Sequence, residues 1–236
     1  MLLAKSCPRA RVSDPLYLTC VVVVYIEIPD WTEVPIYSKT VRIIATIAGR
    51  MTAGPELSRN EEYIDLSVNY TIDLFRAAQA IKACHPLLRP IFQFYYPEIR
   101  RMKQHYQDVE RLVIPVLKAR RKAAEECGPD YIKPYDFMQW FHDRNAAEGS
   151  PYDLKGQAHM QLLISLASIH TTSMCCTHVL YDIAFRPEYL EPLRQEIDEA
   201  FASEGGQLCN AALQKLHKLD SFMKESQRFN PPSLSK

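Results

Sequence analysis

Residues 162–187 read LLISLASIHTTSMCCTHVLYDIAFRP, and no Lys, Arg, Asp or Glu occurs between Lys155 and Asp182. A charge-free run of that length, apolar on nearly every face before its middle, reads as one long helix in a protein interior. It predicts a single helix over 156–186, with Pro187 opening the next. The middle of the run is unusual, because Ser168, His170, Thr171, Thr172 and Ser173 stand together there. Hydroxyl side chains of this kind compete for backbone carbonyls, and β-branched Thr is stiff in a helix. Only 13 of residues 160–181 are apolar and eight are Ser, Thr or His, which argues against a membrane span. His170, Cys175, Cys176 and His178 could be drawn as a zinc site. Cys175 and His178 share a face at i, i+3, but His170 lies two turns back, so one ion cannot collect them all.

Outward from this stretch the chain reads as helix after helix. Residues 38–51 (SKTVRIIATIAGRM) form a first helix that Gly54-Pro55 stops. A second, over 58–84, starts at Ser58 or Asn60 as N-cap, with acidic residues in its first turn. Its apolar stripe is Ile64, Val68, Ile72, Phe75 and Ala78. Asn69-Tyr70-Thr71 matches the glycosylation triplet but lies inside that helix, whereas acceptors belong to surface loops. Pro86, Pro90 and Pro97 divide the following segment around IFQFYY. Residues 98–127 then form a long charged helix, with Pro115 as a kink site. Lys118, Arg120, Arg121 and Lys122 read as its solvated last turns. A short helix over 135–145, a polar linker over 143–152, and helical segments within 188–206 and 213–232, separated by a Gly-Gly loop, complete the pattern. The fold class is mostly α, a long central helix with surrounding helices.

Composition narrows the function. Lys plus Arg and Asp plus Glu balance at 28 each, so no global field attracts DNA, RNA or anionic lipid. Seven Gly, without GxGxxG or GxxxxGK[ST], exclude a dinucleotide or P-loop site. Seven Cys, at 7, 20, 84, 127, 175, 176 and 209, contain no CxxC and fit a reducing compartment. The run LTCVVVVYI at 18–26 is too short to span a bilayer; it reads as a buried strand, and residues 1–30 are otherwise unassigned.

A second motif is Glu225-Ser226-Gln227-Arg228, in which Glu225 and Arg228 at i, i+3 can form a buried bidentate ion pair. It follows LHKLDSFMKES and precedes FNPPSLS. With Ala167-Ser168-Ile169-His170-Thr171-Thr172 upstream, the chain resembles the cytochrome P-450 family, the haem-thiolate monooxygenases, in its fungal branch. DWTEV, GPELSRNEEYIDLSVNYTIDLF, FYYPEIRRM and THVLYDIAFRPEYLEPLRQEI resemble the same branch, so the likeness covers residues 31–236. The resemblance implies that the central helix crosses haem. Thr171 would manage protonation of dioxygen, His170 would take the place of the family's acid, and Ala167 and Ser168 would lie on the distal haem face. A local widening of the helix would leave room for dioxygen and water. Glu225 and Arg228 would be structural. An apolar substrate such as a terpenoid, and a reductase, are the implied partners.

The family's iron ligand comes from a loop reading Phe-x-x-Gly-x-x-x-Cys-x-Gly after Glu-x-x-Arg, and its thiolate defines the chemistry. Only eight residues follow Arg228. Cys209 has Gly205 four residues before it but precedes the Glu-x-x-Arg helix, so it is not that loop. Trp31 is followed by Pro35 where a haem-contacting Trp-x-x-x-Arg would need Arg. The expectation is therefore a truncated, inactive homologue with no metal ligand of its own, cytoplasmic or loosely associated with the endoplasmic reticulum, and without a transmembrane anchor. Two alternatives stay open: an active haem monooxygenase whose cysteine loop is supplied elsewhere, and a non-enzymatic helical interaction protein.

Overall fold

The computed structural model describes residues 33–85, 87, 96–149, 153–207 and 209–231. The expected strand at 18–26 and most of the IFQFYY segment lie outside them. Eight α-helices and no strand occur among the described residues: α1 (Ile36–Thr52), α2 (Glu61–Ala83), α3 (Pro97–Cys127), α4 (Phe137–Ala147), α5 (Leu154–Phe185), α6 (Leu190–Ser203), α7 (Asn210–Leu213) and α8 (His217–Phe229). They cluster into two compact units. Among the described residues, one holds 33–34 and 41–170, the other 35–40 and 171–231.

In the first unit, Asn60 caps α2 by accepting the Tyr63 N–H at 3.1 Å, and Glu61 and Glu62 occupy the first turn. The expected stripe of α2 is only partly the buried one. Ile64 is buried, but Ile72 and Phe75 are exposed. The face turned inward is instead Tyr63, Ser67, Tyr70, Thr71 and Ala77. It is more polar than the stripe because it meets polar groups of α3. The Tyr70 and Tyr106 hydroxyls lie 3.3 Å apart, and the His105 ring is 3.0 Å from the Asp73 carboxylate. On α3 the buried positions are Met102, Val109, Val113, Leu117 and Arg120, spaced by whole turns. The helix continues through Pro115, which sits on the exposed face.

Arg120 corrects the reading of the basic run. Lys118, Arg121 and Lys122 are solvated, but Arg120 is 7% exposed. Its guanidinium is held by Asp136 (2.9 and 2.7 Å) and Glu56 (3.0 and 2.8 Å). Asp136 also caps α4 through the Gln139 N–H. Gly54, at φ +83°, passes so close beneath that a Cβ there would stand 2.2 Å from Arg120 Nη2. Glycine is required at that position for both reasons.

The central helix α5 matches the expected span to within two residues at its start and one at its end. By length and composition it is apolar enough to cross a membrane. In the first unit it buries Ala158, Leu162 and Ile169, the last against Val41, Ala45 and Ile64. In the second unit, Glu225 and Arg228 stand on a helix as expected, but α8 begins only at His217, after the short α7 has ended at Leu213. The break lets Glu196 of α6 accept the first N–H groups of α8, Lys218 at 2.7 Å and Leu219 at 2.9 Å. Those donors have no partner within their own helix.

Candidate functional site

The hydroxyls of α5 are tolerated because they bond back onto their own helix. Ser165 donates to the Gln161 carbonyl (2.8 Å), Ser168 to Ile164 (2.8 Å) and Thr177 to Ser173 (2.7 Å). These bonds use the second lone pair of a carbonyl and leave the ladder in place. The expected local widening is accordingly not found, and α5 is α-helical throughout.

Ala167 and Thr171, four residues apart, are both exposed, and Leu163 one turn earlier is 52% exposed. Positions at this spacing fall on one helix face. Ser168 and His170 flank that face and are half-buried. The Ser168 hydroxyl is committed to Ile164. The His170 Nε2 lies 3.0 Å from the backbone oxygen of Val68 on α2, and since a carbonyl only accepts, Nε2 carries the proton. Ser173 is fully buried.

In the second unit, Glu225 and Arg228 form the expected bidentate pair, Nε to Oε2 at 2.8 Å and Nη2 to Oε1 at 2.7 Å. The pair is exposed rather than buried, with side chains 57% and 62% accessible. The hydrogen bond from Arg228 holds the Glu225 carboxyl below the usual range, with Arg228 and Arg186 adding charge. The residue of the motif that turns inward is Ser226, whose hydroxyl donates to Asp182 at 2.5 Å. Sequence reasoning missed Ser226, Asp182 and Glu196. One available signal was that Asp182 is the first charge after the uncharged run. A groove of about 770 Å³ opens beside them, lined by Asp182, Arg186, Tyr189, Phe222, Glu225 and Phe229 among others.

Cysteine chemistry is weak here. Cys175 and Cys176 are half-buried, and burial, then the neighbouring Cys175, push the Cys176 thiol up, away from thiolate character. Among the described residues no group of three His, Cys, Asp or Glu side chains could hold a metal ion.

The family model for Cytochrome P450 matches residues 43–236. Similar proteins include Cytochrome P450 monooxygenase braC of Annulohypoxylon truncatum, 40% identical over 207 residues, covering 87% of this chain and 41% of that protein. Cytochrome P450 monooxygenase olcJ of Penicillium canescens is 38% identical over 213 residues, covering 88% and 40%. Ent-kaurene oxidase of Gibberella intermedia is 37% identical over 210 residues, covering 87% and 38%. The chain thus spans about two fifths of the length of the curated relatives it matches.

Proposed function

The chain belongs to the cytochrome P450 family, and from that premise we propose that it is the oxygen-side helical part of a haem monooxygenase acting on an apolar secondary metabolite. The observation that carries this reading is that Ala167 and Thr171, one turn apart on the uncharged part of α5, are both exposed. A small residue followed one turn later by a hydroxyl suits a flat macrocycle and a ligand on it, so the oxygen side fits haem. The ligand side does not, because no cysteine of this chain stands in the family's loop pattern. When bound, haem supplies oxygen activation, which in this family depends on an axial thiolate. Ala167 and the Cβ of Ser168 would pack against it, and the Thr171 hydroxyl would hold and pass a proton. Glu225 and Arg228 keep a structural role on α8. The substrate class is inferred from the terpenoid named in the ent-kaurene oxidase relative, and the redox partner from the family.

The chain alone is therefore read as unable to form the thiolate-ligated centre. The reduced, carbon-monoxide-bound spectrum of the purified chain with added haem tests this, and no thiolate-type band is expected. Such a band would overturn the reading, and single replacements of Cys175, Cys176 and Cys209 would then locate the ligand. The second reading, an active monooxygenase, is favoured by relatives that are themselves named monooxygenases. In a longer protein carrying this region and the cysteine loop, Thr171→Ala should lower product formed per oxygen consumed by about tenfold or more. Unchanged coupling would remove Thr171 from the mechanism.

A further inference from the structure

We propose that α2 and α5 hold ordered internal water between Tyr63, Ser67 and Ser165, in a binding site built of neutral hydroxyl and amide groups. The site lies within the first unit and does not depend on the haem reading above.

Two polar rows carry the inference. Tyr63, Ser67 and Thr71 follow one another at i, i+4 and i+8 on α2, and Gln157, Gln161 and Ser165 do so on α5. That spacing puts each row on one helix face, and every side chain in both rows is 4% exposed or less. The rows meet at Tyr63. Its ring lies against α1, where a Cβ on Gly49 would stand 3.7 Å from it. Burial pushes the Tyr63 phenol up, and the hydroxyls of Thr52, Ser67 and Ser165 are near enough to oppose that rise. None of the three stands in direct hydrogen-bonding geometry with Tyr63 Oη.

Buried polar groups in folded proteins are nearly always bonded. Ser165 follows the usual course and donates to the Gln161 carbonyl at 2.8 Å. Ser67 and Thr71 do not bond back onto α2 in this way. Their hydroxyls have no protein partner, and neither do Tyr63 Oη, Gln161 Oε1 or the side-chain amide atoms of Gln157. Elsewhere on α2 the inward polar groups are met by protein, Tyr70 by Tyr106 and Asp73 by His105. The two rows therefore call for a ligand that both donates and accepts. Tyr63 and Ser67 can do either, whereas Ser165, its proton committed, can only accept. Water satisfies all three together, and an internal water makes about three such bonds. A bound cation would call for a carboxylate and an anion for a charged donor, and neither row contains a charged residue.

Oxygen-17 relaxation dispersion of water in the presence of the purified full chain tests the site, because exchanging hydroxyl protons do not enter that signal. The native chain should show a long-lived water component, and its absence overturns the proposal. Ser67→Val puts methyl groups where the water is bound and should lower that component, with helix content unchanged by circular dichroism. An equal component in the folded variant also overturns the proposal. A second measurement reads a sign. With water bound, Tyr63→Phe removes one of its partners, and amide protection over 66–70 should fall about fivefold, the effect of losing one ordinary hydrogen bond. A dry seam predicts the opposite, because an unbonded buried hydroxyl is then removed. Protection that rises or stays unchanged overturns the proposal. Should Ser67→Val not fold, the native dispersion and Tyr63→Phe still decide.

Discussion

Arg120 shows how much one residue can organise here. Its charge is taken from water and met by two carboxylates, and burial, which would lower its pKa, is outweighed by Asp136 and then Glu56, so it is pushed above its ordinary value. Removing one partner of a buried pair leaves an uncompensated charge. Asp136→Ala should therefore cost about 3–5 kcal/mol in urea unfolding, since Asp136 is fully buried and also caps α4. Glu56 is 39% exposed, and Glu56→Ala should cost only about 1 kcal/mol because water screens and replaces it. Equal losses for the two would show that Asp136 is not the principal counter-ion. None of this was legible in the sequence, where Arg120 stands in a run of basic residues at the end of a charged helix. Its partner Glu56 is 64 positions away in the chain, and local patterning carries no information at that range.

Elements were legible where their determinants are local. The span of α5 followed from the absence of charge and from Pro187, and the start of α2 from its cap candidates Ser58 and Asn60, of which Asn60 is the cap. Asn60→Ala should cost about 1 kcal/mol, the usual loss for an N-cap, as measured by chemical denaturation. The inward face of α2 was not legible, because Tyr70 and Asp73 are turned in by partners on α3 rather than by hydropathy. The start of α8 was missed for a similar reason, since its cap comes from another helix. Partial burial would raise the Glu196 pKa, but the N–H groups of Lys218 and Leu219 more than offset that and hold it below the usual carboxylate range. A depressed folded pKa means that the capping contribution is present above the unfolded value, about 4.3. It is lost as pH falls through the folded value. Amide exchange at Lys218 and Leu219 should accordingly accelerate in acid, beyond the intrinsic pH trend, and Glu196→Gln should abolish that extra dependence. Persistence of the acid step in Glu196→Gln would assign it to another carboxyl group.

For the chain as a whole, the family was legible because two motifs, on α5 and α8, occur in the right order with similar flanks. What a sequence read alone could not show is how much apolar surface the described residues leave uncovered. Leu163, Leu180, Tyr181 and Phe185 of α5 are 52%, 47%, 46% and 85% exposed, and Phe75 of α2 is 60% exposed. Large apolar side chains repeated along one helix mark a surface that is covered in a working assembly, and the relatives contain more than twice this length of chain. The purified chain should therefore bind an environment-sensitive hydrophobic dye in its native state and self-associate as concentration rises. Replacing Leu163 and Phe185 together by Gln should reduce dye binding and association. Because both side chains are already largely in water, unfolding stability should change by no more than about 0.5 kcal/mol. A loss of several kcal/mol would mean that these residues already pack within the chain. Unchanged dye binding would place the exposed surface elsewhere.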